Sequence, residues 1–212
     1  MTEDPFEKLL TDRLKPSKTA LLVVDVQNDF CDSQGAFAKK GANLSHVEKV
    51  VEHLIFLINR CRQFTVPVIF VRTIHSDWTD SRSWLGRFGG TGRDYLVCRQ
   101  GSWGAEFYKV EPKECDCGVT KHRFSGFSRT DLDLVLRSRG IETLLITGVV
   151  TNVCVETTAR DAFNLDYDVI LVEDCCGAYF SDEHTATLNN IRKYFGLVAD
   201  SRTLVRIMEK PG

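Results

Sequence analysis

The chain has 212 residues and a formal net charge of −2, which suits one α/β domain with a sizeable core and leaves no basic excess for nucleic acid or an anionic membrane surface. Its longest apolar runs, such as residues 20–26, are strand-sized and far too short to span a bilayer. The N-terminus, MTEDPFEKLLTDR, is acidic and has no signal-peptide apolar region, so a cytoplasmic location is expected.

Apolar β-branched runs alternate with helix-period segments. Residues 20–26 (ALLVVDV) read as a strand buried on both faces, as in a parallel sheet. A helix is expected from Ser45, where SHVE has the form of a capping box, to about Phe64. Residues 67–74 (PVIFVRTI) form the second strand, and residues 75–102, rich in Trp, Arg and Gly, read as a long functional loop. Next come a short strand at 118–121, a helix over 130–139 closed by Gly140, and a strand at 142–148. A helix over 154–165, a strand at 168–173, a helix over 181–195 and an edge strand at 197–199 complete the pattern. This alternation predicts a single-domain, mostly parallel open sheet with helices on both faces, preceded by an N-terminal extension at 1–18. In such sheets the active site lies at the carboxyl ends of the strands.

Three strand ends carry reactive groups. Asp25 interrupts the apolar LLVVDVQ, Lys121 ends the strand before HRFSGF, and Cys154 follows the turn at Gly148. Asn152, a good N-cap residue, would start the helix and place Cys154 in its first turn, where the dipole favours an anion. Cys154 is then either a buried structural thiol or a nucleophile. Asp25 and Lys121 are either a structural ion pair or a base and its stabilising cation. No histidine is placed for a Cys–His pair: His46 and His53 fall on the first long helix and His184 on a late one. Eight cysteines stand at 31, 61, 98, 115, 117, 154, 175 and 176. They form no repeating framework, so reduced thiols are expected, and Cys175-Cys176 reads as packing. Cys115-Asp116-Cys117 has no second ligand pair at zinc spacing, so neither metal nor cofactor is expected.

VVDVQNDF (23–30), TKHRFSGF (120–127) and GVVTNVCVETTARDAF (148–163) together resemble the isochorismatase-like cysteine hydrolases over about residues 19–204. The resemblance implies a three-layer α/β/α fold, an Asp25–Lys121–Cys154 triad and a thioester intermediate. It also implies a cis peptide at Val149–Val150, with the N–H groups of Val150 and Cys154 as oxyanion hole, and a homo-oligomer, dimer or tetramer.

Zinc-binding nicotinamidases carry an Asp-x-His pair and a further His after the second strand, whereas HSDWTDSRSW holds only His75. True isochorismatases lack the nucleophilic cysteine. The blocks GSWGAEF, SGF, LRSRGI and TNVCVE are most similar to those of ureidoacrylate amidohydrolases and related biuret and carbamoyl-amide hydrolases. The expected activity is therefore hydrolysis of the C–N bond of a small linear amide or ureido compound. The alternatives are hydrolysis of a small vinyl ether and a non-catalytic, triad-bearing interaction protein.

The expected substrate contacts are Phe30, Thr73, His75, Trp78 and Phe124. Phe30 and Phe124 stand where ureidoacrylate enzymes resemble one another in having tyrosine, and Thr73 and His75 stand in place of Asn and Trp, which predicts a less polar acyl site. Trp78 is a candidate pocket wall ahead of Trp84 and Trp103. Arg72, Arg82 and Arg87 are either carboxylate clamps or surface residues, and Asn152 is read as the helix cap.

Overall fold

The β-branched runs become strands because both of their faces find partners. The computed structural model describes residues 4–87 and 96–210. Among them, six strands form one parallel sheet in the order β3-β2-β1-β4-β5-β6. The strands are β1 (Thr19–Val24), β2 (Val68–Thr73), β3 (Cys117–Lys121), β4 (Thr143–Val149), β5 (Asp168–Gly177) and β6 (Leu197–Ala199). Every residue of β1 is buried, as expected of a central strand covered on both sides.

Alternation along β1 divides the core. Leu21 and Val23 face a layer built from α1 (Pro5–Arg13), α4 (Val47–Gln63) and α9 (Ser201–Met208). Ala20, Leu22 and Val24 face α6 (Leu132–Ser138), α7 (Glu156–Asn164) and α8 (Ser181–Asn190). Three short helices, α2 (Asn28–Cys31), α3 (Ala36–Lys39) and α5 (Arg82–Gly86), lie in the connections at the carboxyl edge. None of the described helices is long and apolar enough to cross a membrane.

Several local expectations are corrected. The Ser45 capping box does not form: α4 starts at Val47 behind His46, with no side-chain cap, and the Ser45 N–H is taken by Asn43 Oδ1 at 3.0 Å. α8 ends at Asn190 and passes into a wider, π-type turn, Ile191–Phe195. β5 runs four residues further than its apolar run, past an irregular register between Ile146 and Gly148 of β4. The loop after β2 contains α5, and its residues 88–95 lie outside the described residues. α1 and α9 have no counterpart in the sequence reading. Each is held by tertiary contacts, with Leu10 of α1 and Leu204 of α9 fully buried.

Chain direction reverses across the sheet at β1: the next two strands add on one side and β4 on the other. A crevice therefore opens between the carboxyl ends of β1 and β4. Gly148 permits the close approach there, with φ at +118° and no room for a Cβ, which would collide with the Val24 carbonyl.

Candidate active site

Asp25 follows β1 directly, in a left-handed conformation (φ 53°) that only a few per cent of non-glycine residues adopt. Its N–H donates to the Val71 carbonyl at 2.8 Å. Lys121 is the last residue of β3. Both side chains are essentially unexposed, and Lys121 Nζ lies 2.7 Å from Asp25 Oδ2. Thr73, at the end of β2 between them, donates its hydroxyl to Asp25 Oδ1 at 3.0 Å and accepts from Lys121 Nζ at 2.8 Å. A third Nζ hydrogen goes to the Arg123 carbonyl at 3.0 Å. Burial disfavours the ammonium, but the interactions with Asp25 and Cys154 together outweigh it and the net effect raises the Lys121 pKa.

Cys154 is buried, and its thiol is within hydrogen-bonding reach of both the Asp25 carboxylate and the Lys121 ammonium. Burial pushes this thiol well above its ordinary range, with Lys121 opposing and Asp25 adding to the rise. The resting group is thus a neutral thiol. It sits in a π-type turn, Thr151–Val155, that feeds into α7. Val150 caps this turn, and the Val149–Val150 peptide is cis. Asn152 is therefore not the cap: it lies inside the turn and donates to Glu183 at 3.0 Å. Thr158 secures the helix by donating to the Cys154 carbonyl at 2.7 Å and accepting from the Gly126 N–H at 2.9 Å, which ties the SGF segment to the Cys154 turn.

The sequence reading missed a scaffold in VVDVQNDF itself. Gln27 is fully buried and bonds Thr73 twice and the Ala105 carbonyl once, at 2.8–2.9 Å. Asn28 donates to the Trp103 carbonyl at 2.9 Å. Asp29 accepts from the N–H groups of Ala36 and Cys98. Three successive polar residues in an apolar neighbourhood were the available signal.

The expected substrate contacts separate into two groups. Phe30 is buried, with its ring 5.4 Å from Phe37. Phe124 is half-buried and packs on Trp84 at 4.9 Å. His75 is buried with its ring 5.1 Å from Trp84. Thr73 differs from expectation, since its hydroxyl is engaged by the Asp25–Lys121 pair. Trp78 is 98% exposed and stands in solvent, on the turn at Ser76–Thr79; Trp84 is the tryptophan that packs on His75 and Phe124.

Arg72 and Arg82 are on the surface. Arg87 instead stacks on Trp84 at 3.9 Å, near enough to Cys154 to interact with its thiolate form, and Arg123 stacks there at 5.1 Å. A hydroxyl also returns from an unexpected direction: Tyr179, after β5, donates to the Phe30 carbonyl at 3.3 Å and stacks on Phe37. A cavity of about 640 Å³ beyond Tyr179 is lined by the start of α4 and the β5–α8 connection and does not include the three reactive residues. All eight cysteines are free. No cluster of three or more potential metal ligands occurs among the described residues.

Fold and site together define a parallel α/β enzyme of the hydrolase class. The chain belongs to the isochorismatase family, whose Isochorismatase domain model matches residues 19–203. It is 32% identical, over 93% of its length and 86% of the relative's, to the ureidoacrylate amidohydrolase RutB of Acinetobacter baylyi. Among solved structures it is similar to a cysteine hydrolase from Pseudomonas syringae pv. phaseolicola, with a TM-score of 0.81, 29% identity and coverage of 93% of this chain and 95% of that one. It also resembles N-carbamoylsarcosine amidase from Thermoplasma acidophilum, with a TM-score of 0.71, 29% identity and coverage of 87% and 96%.

Proposed function

We propose that this chain is a cysteine hydrolase that cleaves the C–N bond of a small linear amide or carbamoyl or ureido compound through a thioester on Cys154. The observation that carries the reading is the contact of a buried, neutral thiol with the buried Asp25–Lys121 pair. A structural ion pair has no need of a thiol, and a thiol raised by burial needs a base. The similarity to ureidoacrylate amidohydrolase and to N-carbamoylsarcosine amidase supports C–N chemistry on a carbamoyl group.

Asp25 Oδ1 accepts from the Thr73 hydroxyl at 3.0 Å, and Oδ2 lies 2.7 Å from Lys121 Nζ. The Asp25 carboxylate, within reach of the thiol, takes its proton as sulfur attacks the substrate carbonyl. Lys121 stabilises the carboxylate before transfer and the thiolate during it. The carbonyl oxygen becomes an oxyanion facing the Val150 and Cys154 N–H groups. The protonated Asp25 then delivers its proton to the leaving nitrogen, the C–N bond breaks, and ammonia or an amine departs. Water, deprotonated by Asp25, attacks the thioester; sulfur leaves and recovers its proton. No metal enters any step.

Phe30, His75 and Phe124 line the acyl site, with Trp84 as its wall. Arg87 and Arg123, both stacked on that wall, favour a substrate with an anionic end, as the name ureidoacrylate implies for the relative's substrate. The test is incubation with a panel of ureides and amides, detecting ammonia and measuring intact mass after acid quench. An adduct on wild type that is absent from Cys154→Ala supports the reading. Turnover by Cys154→Ala overturns it.

A further inference from the structure

Buried polar groups are nearly always hydrogen-bonded, so an exception asks for a cause. His75 is such an exception. It is 3% exposed, and neither ring nitrogen has a hydrogen-bond partner among the described residues. Its main chain is held on both sides: the backbone N–H donates to the Cys98 carbonyl and the backbone carbonyl accepts from the Gln100 N–H, both at 2.9 Å. The ring packs on Trp84.

Asp80 Oδ1 stands 3.8 Å from Nδ1. That is too long for a hydrogen bond, yet close enough for the carboxylate to draw the ring proton onto Nδ1. The other Asp80 oxygen is paired with Arg99. Burial lowers the His75 pKa to about 4; Asp80 opposes this, while Lys121, Arg87 and His122 reinforce it. A neutral ring with its proton on Nδ1 offers a lone pair at Nε2. The cationic neighbours Lys121, Arg87 and Arg99 can only donate, so a substrate N–H finds no acceptor in them.

We propose that His75 Nε2 accepts a hydrogen bond from an N–H of the substrate, making His75 the specificity-determining residue that selects unsubstituted amides and ureides over N-alkylated ones. The inference rests on the C–N reading above and narrows its substrate class. His75 feels the Lys121 charge and packs on Trp84, as Phe124 does, so the N–H it reads belongs to the carbamoyl end of the substrate. Without a substrate N–H, binding leaves the buried acceptor unpaired, a penalty that discriminates strongly between near-isosteres.

The test compares kcat/KM for a primary carbamoyl compound and its N,N-dimethyl counterpart on wild type, His75→Phe and His75→Asn. Wild type is expected to prefer the primary compound by about 100-fold. His75→Phe, which keeps a ring and removes the acceptor, should lose about 30-fold on the primary compound and change less than about threefold on the dimethyl one. His75→Asn, whose side-chain carbonyl accepts, should retain about a tenfold preference. Wild-type turnover with an unchanged substrate ratio in His75→Phe overturns the His75 assignment alone. Failure of wild type to release ammonia or amine from either compound, with Cys154 unmodified, overturns the C–N reading and this inference with it.

Discussion

Gln27 grips Thr73 by both of its main-chain groups, accepting from the N–H at 2.8 Å and donating to the carbonyl at 2.9 Å. The same side chain donates to the Ala105 carbonyl at 2.8 Å. Gln27→Leu keeps the approximate volume and leaves three buried main-chain groups unpaired, so the expected loss of stability is about 2–4 kcal/mol. Because Thr73 bridges Asp25 and Lys121, turnover should fall as well. Urea denaturation measures the first effect; an unchanged midpoint would show that the clamp is energetically idle.

The Asp25–Lys121 pair couples chemistry to stability. Asp25→Asn removes the proposed base and also leaves a buried ammonium without its counter-charge, which should cost about 3–5 kcal/mol. Lys121→Met alone should cost a comparable amount by stranding the carboxylate. The double variant Asp25→Asn/Lys121→Met should regain most of the stability and none of the activity. Unfolding curves and turnover of all three variants separate the two roles, and a catalytically active double variant would remove Asp25 from the mechanism.

Two tryptophans in one loop should behave oppositely. Trp78→Ala removes a side chain that touches little, so stability should change by less than about 0.5 kcal/mol with activity intact. Trp84→Ala removes the surface on which His75, Phe124, Arg87 and Arg123 pack, and should raise KM by about tenfold or more through lost order in the wall. Equal kinetic effects from the two substitutions would show that Trp84 does not shape the site.

His75 predicts a pH dependence of stability. Its pKa falls from the ordinary 6.5 to about 4 on folding, so between those values the unfolded chain binds more protons than the native one. Stability should therefore be unaffected by this group above about pH 6.5, decline as pH falls toward 4, and stop declining below that. The contribution is about 3 kcal/mol. The difference in unfolding free energy between wild type and His75→Phe, followed from pH 7 to pH 4, isolates it from the carboxylates. A difference that stays constant across this window would show that folding does not shift the ring's pKa.

Local period made most of the sheet legible. Runs such as Ala20 to Val24 and Leu144 to Ile146 are apolar without interruption, which suits strands covered on both faces. α9 and α1 were not legible, because short amphipathic segments are stabilised chiefly by the core they cover rather than by their own propensity. The helix over 154–165 was read correctly for its α-helical body but not its start, since a π-type turn differs from an α turn in hydrogen-bond register and not in composition.

The three reactive residues were legible for a simple reason: an acid, a lysine and a cysteine each ended or followed an apolar strand, and the desolvation of an unpaired charge there demands a partner. Which atoms meet was beyond the linear pattern. Lys121 reaches Asp25 because β3 lies two strands from β1 with Thr73 of β2 between them, an order set by long-range packing. For the same reason the Thr73 hydroxyl belongs to the ion pair, Trp84 rather than Trp78 packs on His75 and Phe124, and the His75 ring nitrogens are buried without a hydrogen-bond partner among the described residues. The sequence by itself determined the strand ends, the kind of fold and the chemistry available at its carboxyl edge, since these depend on local polarity and period. Only the tertiary structure decided which lone pairs are used and which are left for a substrate, because hydrogen bonds are directional and depend on distances between residues far apart in the chain.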